Sequence, residues 1–322
     1  MQYTQLCLLV TDRCNAECAF CGPRCGRSRT NVMTEELGRS ALEQAKAFGS
    51  FALVGISGGE AFLYPELSAS LLDYAKELGF PQRTLTTNGF WGGWTDEKIE
   101  WVLDSLASVT VVGFSYDAFH AEWIPKRSFW RAVNAVQRRG IPCVINVADV
   151  PGEKGAGPFL TAQGDEALSR RYSLYRLIRA GRAKEMSADN FFPDVDTEKS
   201  GCSFRGDVVV SCDGSVYPCC SSGIQGTRFI LGNLNESSLS DILLHTPAAK
   251  LRDVLRLQPC FARLIAAARE EWGVEIPDKV VNGCEACQAA FAEEENVKRA
   301  EARADEMRRE LLMEHLLGKA RE

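Results

Sequence analysis

The sequence predicts an α/β fold, an incomplete TIM-like (β/α)6 barrel followed by a small α+β domain. Three observations carry this. Short β-rich runs alternate with amphipathic stretches through the first 190 residues, as βαβ units and a parallel sheet require. About six such units fit that length, too few for a closed eightfold barrel. Near Asn190 the alternation stops, and a hairpin signal and further cysteines take its place.

In chain order, a strand over 5–10 runs into a cysteine-rich loop, and a helix over 34–48 follows. A strand over 52–57, a Gly-Gly loop and a helix over 66–78 form the next unit. The strand over 83–87 ends in Asn88-Gly89 and precedes a helix over 96–106. A strand over 110–115, a helix over 129–139 and a strand over 143–147 continue the pattern, and a helix over 166–180 is expected before a weaker sixth strand. Parallel barrels place their chemistry at the C-terminal ends of the strands, so the loops there are the place to look. Further on, strands over 207–211 and 215–217 flank Cys212-Asp213-Gly214, and Asp-Gly is a hairpin turn. Helices over 239–244 and 248–257 precede Cys284-Glu285-Ala286-Cys287. The domains are therefore set at 1–190, 191–290 and 291–322. The last is a charged helix whose stripe of Val297, Ala300, Ala304, Met307 and Leu311 suits packing on a core.

Composition narrows the function. The 322 residues are 45% hydrophobic and 25% charged, as in an ordinary folded protein. The net charge of −6 argues against a nucleic-acid-binding face. No run approaches eighteen apolar residues and no export signal is visible, so neither a membrane span nor secretion is expected. Thirteen cysteines are the anomaly. In a chain read as cytoplasmic, they point to metal binding or thiol chemistry rather than to disulfides.

Cys14, Cys18 and Cys21 form C-x3-C-x2-C in the loop after the first strand. Four thiolates close a zinc or cubane site, whereas three leave one iron of a 4Fe–4S cluster open to a substrate. Cys25 is a possible fourth ligand, which would close the site. The stretch Cys14-Asn15-Ala16-Glu17-Cys18-Ala19-Phe20-Cys21 resembles the radical S-adenosylmethionine (SAM) superfamily. So do Ser57-Gly58-Gly59-Glu60 after the second strand and Thr87-Asn88-Gly89 after the third. The resemblance implies that the open iron chelates the amino and carboxylate groups of SAM. It places Gly58 and Gly59 against the methionyl ammonium, Glu60 opposite its charge, and Asn88 beside them. It puts Phe20 at the adenine, and Ser115 and Asn146, read as ending strands four and five, at the ribose and carboxylate. An electron passed through the cluster would cleave SAM to a 5′-deoxyadenosyl radical that takes a hydrogen atom from substrate, and the cofactor supplies that reactivity. The implied partners are a peptide or small-molecule substrate and an electron donor such as flavodoxin or ferredoxin.

A second set resembles the SPASM and twitch extensions of the same superfamily. Cys202 is followed, after eleven residues, by Gly214-Ser215-Val216-Tyr217-Pro218-Cys219. Leu231-Gly232-Asn233-Leu234 and Cys284-x2-Cys287 come later. A full SPASM domain carries further cysteines, and none follows Cys287. The resemblance therefore implies a twitch domain with one auxiliary 4Fe–4S cluster on Cys202, Cys219, Cys284 and Cys287. A zinc site from the same four is the competing reading.

Cys7 and Cys143 read as core thiols. Cys220 directly follows Cys219. Some radical SAM peptide epimerases carry a thiol at a similar place, which returns a hydrogen atom to the opposite face of a substrate radical. Cys220 is thus the candidate donor, with Cys260 and then Cys212 as alternatives. This favours L-to-D epimerisation at a peptide Cα. The alternatives are a carbohydrate or aminoglycoside epimerase, an alcohol dehydrogenase, and a non-catalytic iron–sulfur or zinc protein. No leader-recognition domain is expected, because the first strand starts almost at Met1. His120, after strand four, is read as a substrate contact or as a structural residue. Arg24, Arg27 and Arg29 are read as solvated or as attracting an acidic partner, and Phe90, Trp91 and Trp94 as groove or core.

Overall fold

The computed structural model describes residues 3–168, 170–203 and 206–319. Its first half is a regular series: β1 (Gln5–Leu9), α1 (Glu35–Phe48), β2 (Leu53–Ser57), α2 (Pro65–Glu77), β3 (Gln82–Thr87), α3 (Asp96–Ser105), β4 (Val111–Ser115), α4 (Lys126–Arg138), β5 (Cys143–Asp149), α5 (Ala156–Gln163) and β6 (Tyr172–Arg176). The remainder holds β7 (Val195–Asp196), β8 (Asp207–Val210), β9 (Ser215–Tyr217), β10 (Gly232–Asn233), α6 (Leu239–Leu244), α7 (Pro247–Leu255), α8 (Gln258–Glu270), β11 (Lys279–Val280), α9 (Gly283–Ala290) and α10 (Glu294–Lys319).

Local signals set the helix ends. Thr34 caps α1 by accepting from Leu37 N, Glu35 and Glu36 fill its first turn, and Gly49 closes it at φ +86°. Thr95 caps α3 in the same way. The strands β1 to β6 lie side by side in sequence order, all parallel. Their alternation separates two faces. Leu6, Leu8, Val54, Ile56, Leu85, Val112, Phe114, Ile145 and Val147 are buried in the main core. The other, inner face carries small and polar groups. An added Cβ on Gly55 would meet Thr84 Oγ1, Cys7 Sγ and Gln5 Nε2, and one on Gly113 would meet Thr86 Oγ1 and Asn146 Nδ2.

The expected helix over 166–180 does not form, and the sixth strand lies within that span instead of after it. The helix is α5, which ends at Gly164 with φ +72°, and residues 172–176 are β6, paired in parallel with Ile145–Asp149. An open sheet edge on β5 outweighs the local helical pattern here. Because β5 runs on to Asp149, Asn146 lies inside the strand, not at its end. Beyond residue 190, β8 pairs in parallel with β1 and the β8–β9 hairpin and β10 extend the same sheet, giving the order β10-β9-β8-β1-β2-β3-β4-β5-β6. Val297, Ala300, Ala304 and Met307 of α10 are buried in the main core, where α10 packs on α7 and α8. The side chain of Leu311 lies outside those described. Trp91 is buried and stacks on Phe62 at 4.9 Å, and Phe90 and Trp94 pack on the core. These aromatics are core, not groove. Among the described residues, no helix is long and apolar enough to cross a membrane.

Candidate active site with two cysteine clusters

The loop after β1 is closed on itself before it presents any sulfur. Thr11 bridges Val32 and Arg13 bridges Gly26, while Cys14 N donates to Gly26 O at 3.0 Å. The Gly-Gly-Glu segment after β2 grips this loop from below: Gly59 N donates to Thr11 O (2.7 Å) and Glu60 N to Arg13 O (2.9 Å). A Cβ on Gly58 would lie 2.4 Å from Thr11 O, and one on Gly59 2.0 Å from Arg13 O, so neither position tolerates a side chain. Glu60 is 1% exposed. Its carboxylate accepts from Phe62 N (3.0 Å), Thr87 Oγ1 (2.7 Å) and Asn88 N (2.7 Å), which ties β2 to the loop after β3. Burial pushes its pKa up to about 7 against these donors. Asn88 Nδ2 donates to Asn15 Oδ1 at 2.9 Å, inside the cysteine loop.

These contacts bring Cys14, Cys18 and Cys21 into mutual electrostatic range. Cys25 joins them: its thiol meets Cys21, which holds Cys21 down to about 6 and Cys25 well up. Arg182, which the sequence reading missed, holds the loop from the far side. Its guanidinium donates to Cys18 O (3.0 Å) and Cys25 O (2.8 Å). Asp117, also missed, is fully buried and accepts from the backbone N of Phe119, His120 and Ala148, so it fixes the loop after β4 against β5. His120 Nδ1 lies 2.9 Å from Asp117 Oδ1. Phe20 sits among Phe119 and His120 (both 5.4 Å between ring centres) and Tyr175 (6.4 Å), the last 36% exposed. Ser115 and Asn146 are register partners across β4 and β5. Arg24 is paired with Glu185, whereas Arg27 and Arg29 are exposed.

Cys202, Cys219, Cys284 and Cys287 line one cavity of about 550 Å³, mouth included. Asn282 caps α9 by accepting from Cys284 N, and the i, i+3 spacing puts Cys284 and Cys287 on one helix face. A Cβ on Gly283 would lie 2.2 Å from Gly201 O, so this glycine lets Cys202 approach. None of the four is in a disulfide. Burial pushes Cys219 up to about 12 and Cys284 to about 11. Among the described residues, no three or more His, Cys, Asp or Glu close on a single-ion site. The four sulfurs surround a cavity instead, and the buried Arg252 Nη1 and Gln288 Nε2 in its lining have no hydrogen-bond partner. Four clustered thiols around unsatisfied donors fit a polynuclear sulfur-rich group.

The two loops touch. A Cβ on Gly22, next to Cys21, would lie 1.9 Å from Ser222 O, three residues past Cys219. Cys220 is exposed, and its Sγ donates to Asp207 Oδ2 at 3.4 Å. It lies in electrostatic range of Cys7 on the inner face of β1, and desolvation by the surrounding protein, then the Asp207 carboxylate, push its pKa up and hold it as a thiol. Cys260 is buried in the core on α8, and Cys212 is half-buried at the hairpin.

Comparison with known proteins finds one family profile over each cysteine set. The profile of the Radical SAM superfamily matches residues 8–156, and that of SPASM, an iron–sulfur cluster-binding domain, matches residues 202–288. YydG of Bacillus subtilis (strain 168), named for peptide biosynthesis, is 25% identical over 297 residues, covering 89% of this chain and 92% of its own. A GTP 3′,8-cyclase of Microcystis aeruginosa is 26% identical over 47% of this chain and 49% of its own. Among solved structures, SuiB of Streptococcus suis bound to S-adenosylmethionine aligns with TM-score 0.58 at 17% identity, over 82% of this chain and 74% of its own. The anSMEcpe structure with bound AdoMet aligns with TM-score 0.59 at 14% identity, over 94% and 99%.

Proposed function

The chain is a radical SAM enzyme with a SPASM iron–sulfur domain, and from that premise we propose that it epimerises an L-residue of a peptide at Cα, with Cys220 as hydrogen donor. Cys14, Cys18 and Cys21 would hold the SAM-binding 4Fe–4S cluster, and Cys202, Cys219, Cys284 and Cys287 the auxiliary one. With that cluster and SAM bound, the chemistry supplied there would be radical removal of one substrate hydrogen atom. The observation that carries the proposal is the position of Cys220. Its thiol is open, stands beside Asp207 at the first residue of β8, and is adjacent in sequence to a proposed auxiliary ligand. An S–H bond is weaker than most C–H bonds, so a thiol there can return a hydrogen atom to the opposite face of the carbon. One electron and one proton then restore the thiol. An electron donor of the flavodoxin or ferredoxin type would supply the electron.

The rest of the chain positions and shields. Glu60, Asn88 and Arg182 hold the cysteine loop in register. Phe20 and Tyr175 offer aromatic surface beside it, for the adenine and for exclusion of water. The peptide substrate follows the likeness to YydG, which spans nearly all of both chains.

The test is Cys220→Ala, assayed anaerobically with SAM, reductant and peptide in D2O. Wild type should give a product of inverted configuration carrying one solvent deuteron. The variant should still form 5′-deoxyadenosine but lose that product. Unchanged product from the variant, or a two-hydrogen mass loss in wild type, would reject epimerisation through Cys220.

A further inference from the structure

Arg252 is 4% exposed, an unusual position for a guanidinium. Two of its nitrogens are accounted for. Nε donates to Pro218 O at 2.7 Å, the residue before Cys219, and Nη2 donates to Asp207 O at 2.8 Å. The guanidinium also lies over the ring of Tyr3, 4.3 Å from its centre. Nη1 is buried without a partner, and Arg252 lines the cavity bounded by the four cysteines. On α9, one residue past Cys287, Gln288 is 3% exposed and lines the same cavity, and its Nε2 is likewise buried and unpaired. Leaving a buried donor unmade costs about 1–3 kcal/mol, and more for a charged group. Two such donors on residues lining the cavity that four cysteines bound therefore imply an acceptor of negative charge within it. A 4Fe–4S group with four thiolates carries about −2 when oxidised and about −3 when reduced.

We infer that Arg252 and Gln288 donate hydrogen bonds from Nη1 and Nε2 to sulfurs of the auxiliary cluster and raise its reduction potential. The inference rests on the ligand set proposed above. Both donors stabilise the more negative, reduced state, and the fixed positive charge of Arg252 acts more strongly than the neutral amide. They are positioning residues for the cluster and touch no substrate. Arg252 also links the cluster to the donor thiol, because it holds the carbonyl of Pro218, two residues before Cys220, and that of Asp207, whose carboxylate accepts from the Cys220 thiol.

The experiment is a potentiometric titration followed by electron paramagnetic resonance on the full-length, reconstituted chain. SAM perturbs the signal of the triad-held cluster alone and so separates the two. With Arg252→Met, the reduced-to-oxidised ratio of the auxiliary cluster at the wild-type midpoint should fall about tenfold, about 59 mV for a one-electron couple. Gln288→Met should give a smaller fall of the same sign, about threefold. Arg252→Lys, which keeps the charge, should restore part of the loss. The midpoint of the triad-held cluster should not move. If Arg252→Met fails to hold iron, Gln288→Met decides alone. About eight irons per chain with unmoved midpoints in the iron-loaded variants would overturn this inference and spare the ligand set. About four irons per wild-type chain would overturn the ligand set and the inference with it.

Discussion

Replacing Gly22 with alanine tests whether the two cysteine loops are built as one unit. The new Cβ would lie 1.9 Å from Ser222 O and 2.7 Å from Ser222 C. Both are backbone atoms, so no side chain can swing away. Carrying that contact beyond 3.0 Å moves one loop by about 1 Å. Overpacking of this kind costs about 1–3 kcal/mol. At about 2–4 °C per kcal/mol, Tm should fall by several degrees. Ser222 lies three residues past Cys219 and Gly22 one past Cys21, so the displacement should reach both sulfur sets. The assay is thermal unfolding of the reconstituted protein, with the absorbance and paramagnetic spectra of both clusters. Gly157→Ala is the control: nothing lies within 4 Å of its added Cβ, and it sits on α5. It should be neutral or stabilise by up to about 1 kcal/mol. A Gly22→Ala protein with wild-type Tm and wild-type spectra would refute the claim that these loops share a rigid contact.

Three further outcomes follow from the structure. Glu60→Gln turns one acceptor oxygen into a donor facing Thr87, Phe62 or Asn88, and should cost about 1–3 kcal/mol in denaturant unfolding. Burial raises the carboxyl from 4.5 to about 7, so the folded state binds its proton more tightly than the unfolded state. Without SAM, wild-type stability from this group is fully present below pH 4.5 and lost as pH rises through about 7, on the order of 3 kcal/mol, and Glu60→Gln should lack that slope. Met307→Ala opens a cavity where α10 meets the core, and should cost about 2–5 kcal/mol while leaving cluster spectra unchanged in the folded protein.

Much of this was legible in the sequence, and the failures have physical causes. The first five strands announced themselves by apolar runs between turn residues, and the cysteine, Gly-Gly-Glu and Asn-Gly segments fell on strand ends, where loops gather. The sixth unit was misplaced: its helix forms earlier in the chain, as α5, and contains Pro158. In the first turn of α5 the missing N–H of Pro158 costs nothing, since that group has no helical partner there. Residues 172–176 then became a strand through pairing with β5, a tertiary choice that local periodicity does not encode. The attachment of β8 to β1 was equally hidden, because Val208-Val209-Val210 states only that the strand is buried, not which edge it joins. Arg182, Asp117, Arg252 and Gln288 left no spacing signal. Each acts on backbone atoms or on a cavity that only the folded chain assembles.

The proposed chemistry needs a cluster held by Cys14, Cys18 and Cys21 with one iron left for SAM, although the Cys25 thiol stands against Cys21. The most direct measurement is 5′-deoxyadenosine formed anaerobically from SAM and reductant by wild type, Cys21→Ala and Cys25→Ala, with iron counted in each. Wild type and Cys25→Ala should form it and hold equal iron, and Cys21→Ala should form none. Loss of both iron and product in Cys25→Ala would show that Cys25 is a ligand and contradict the three-sulfur site.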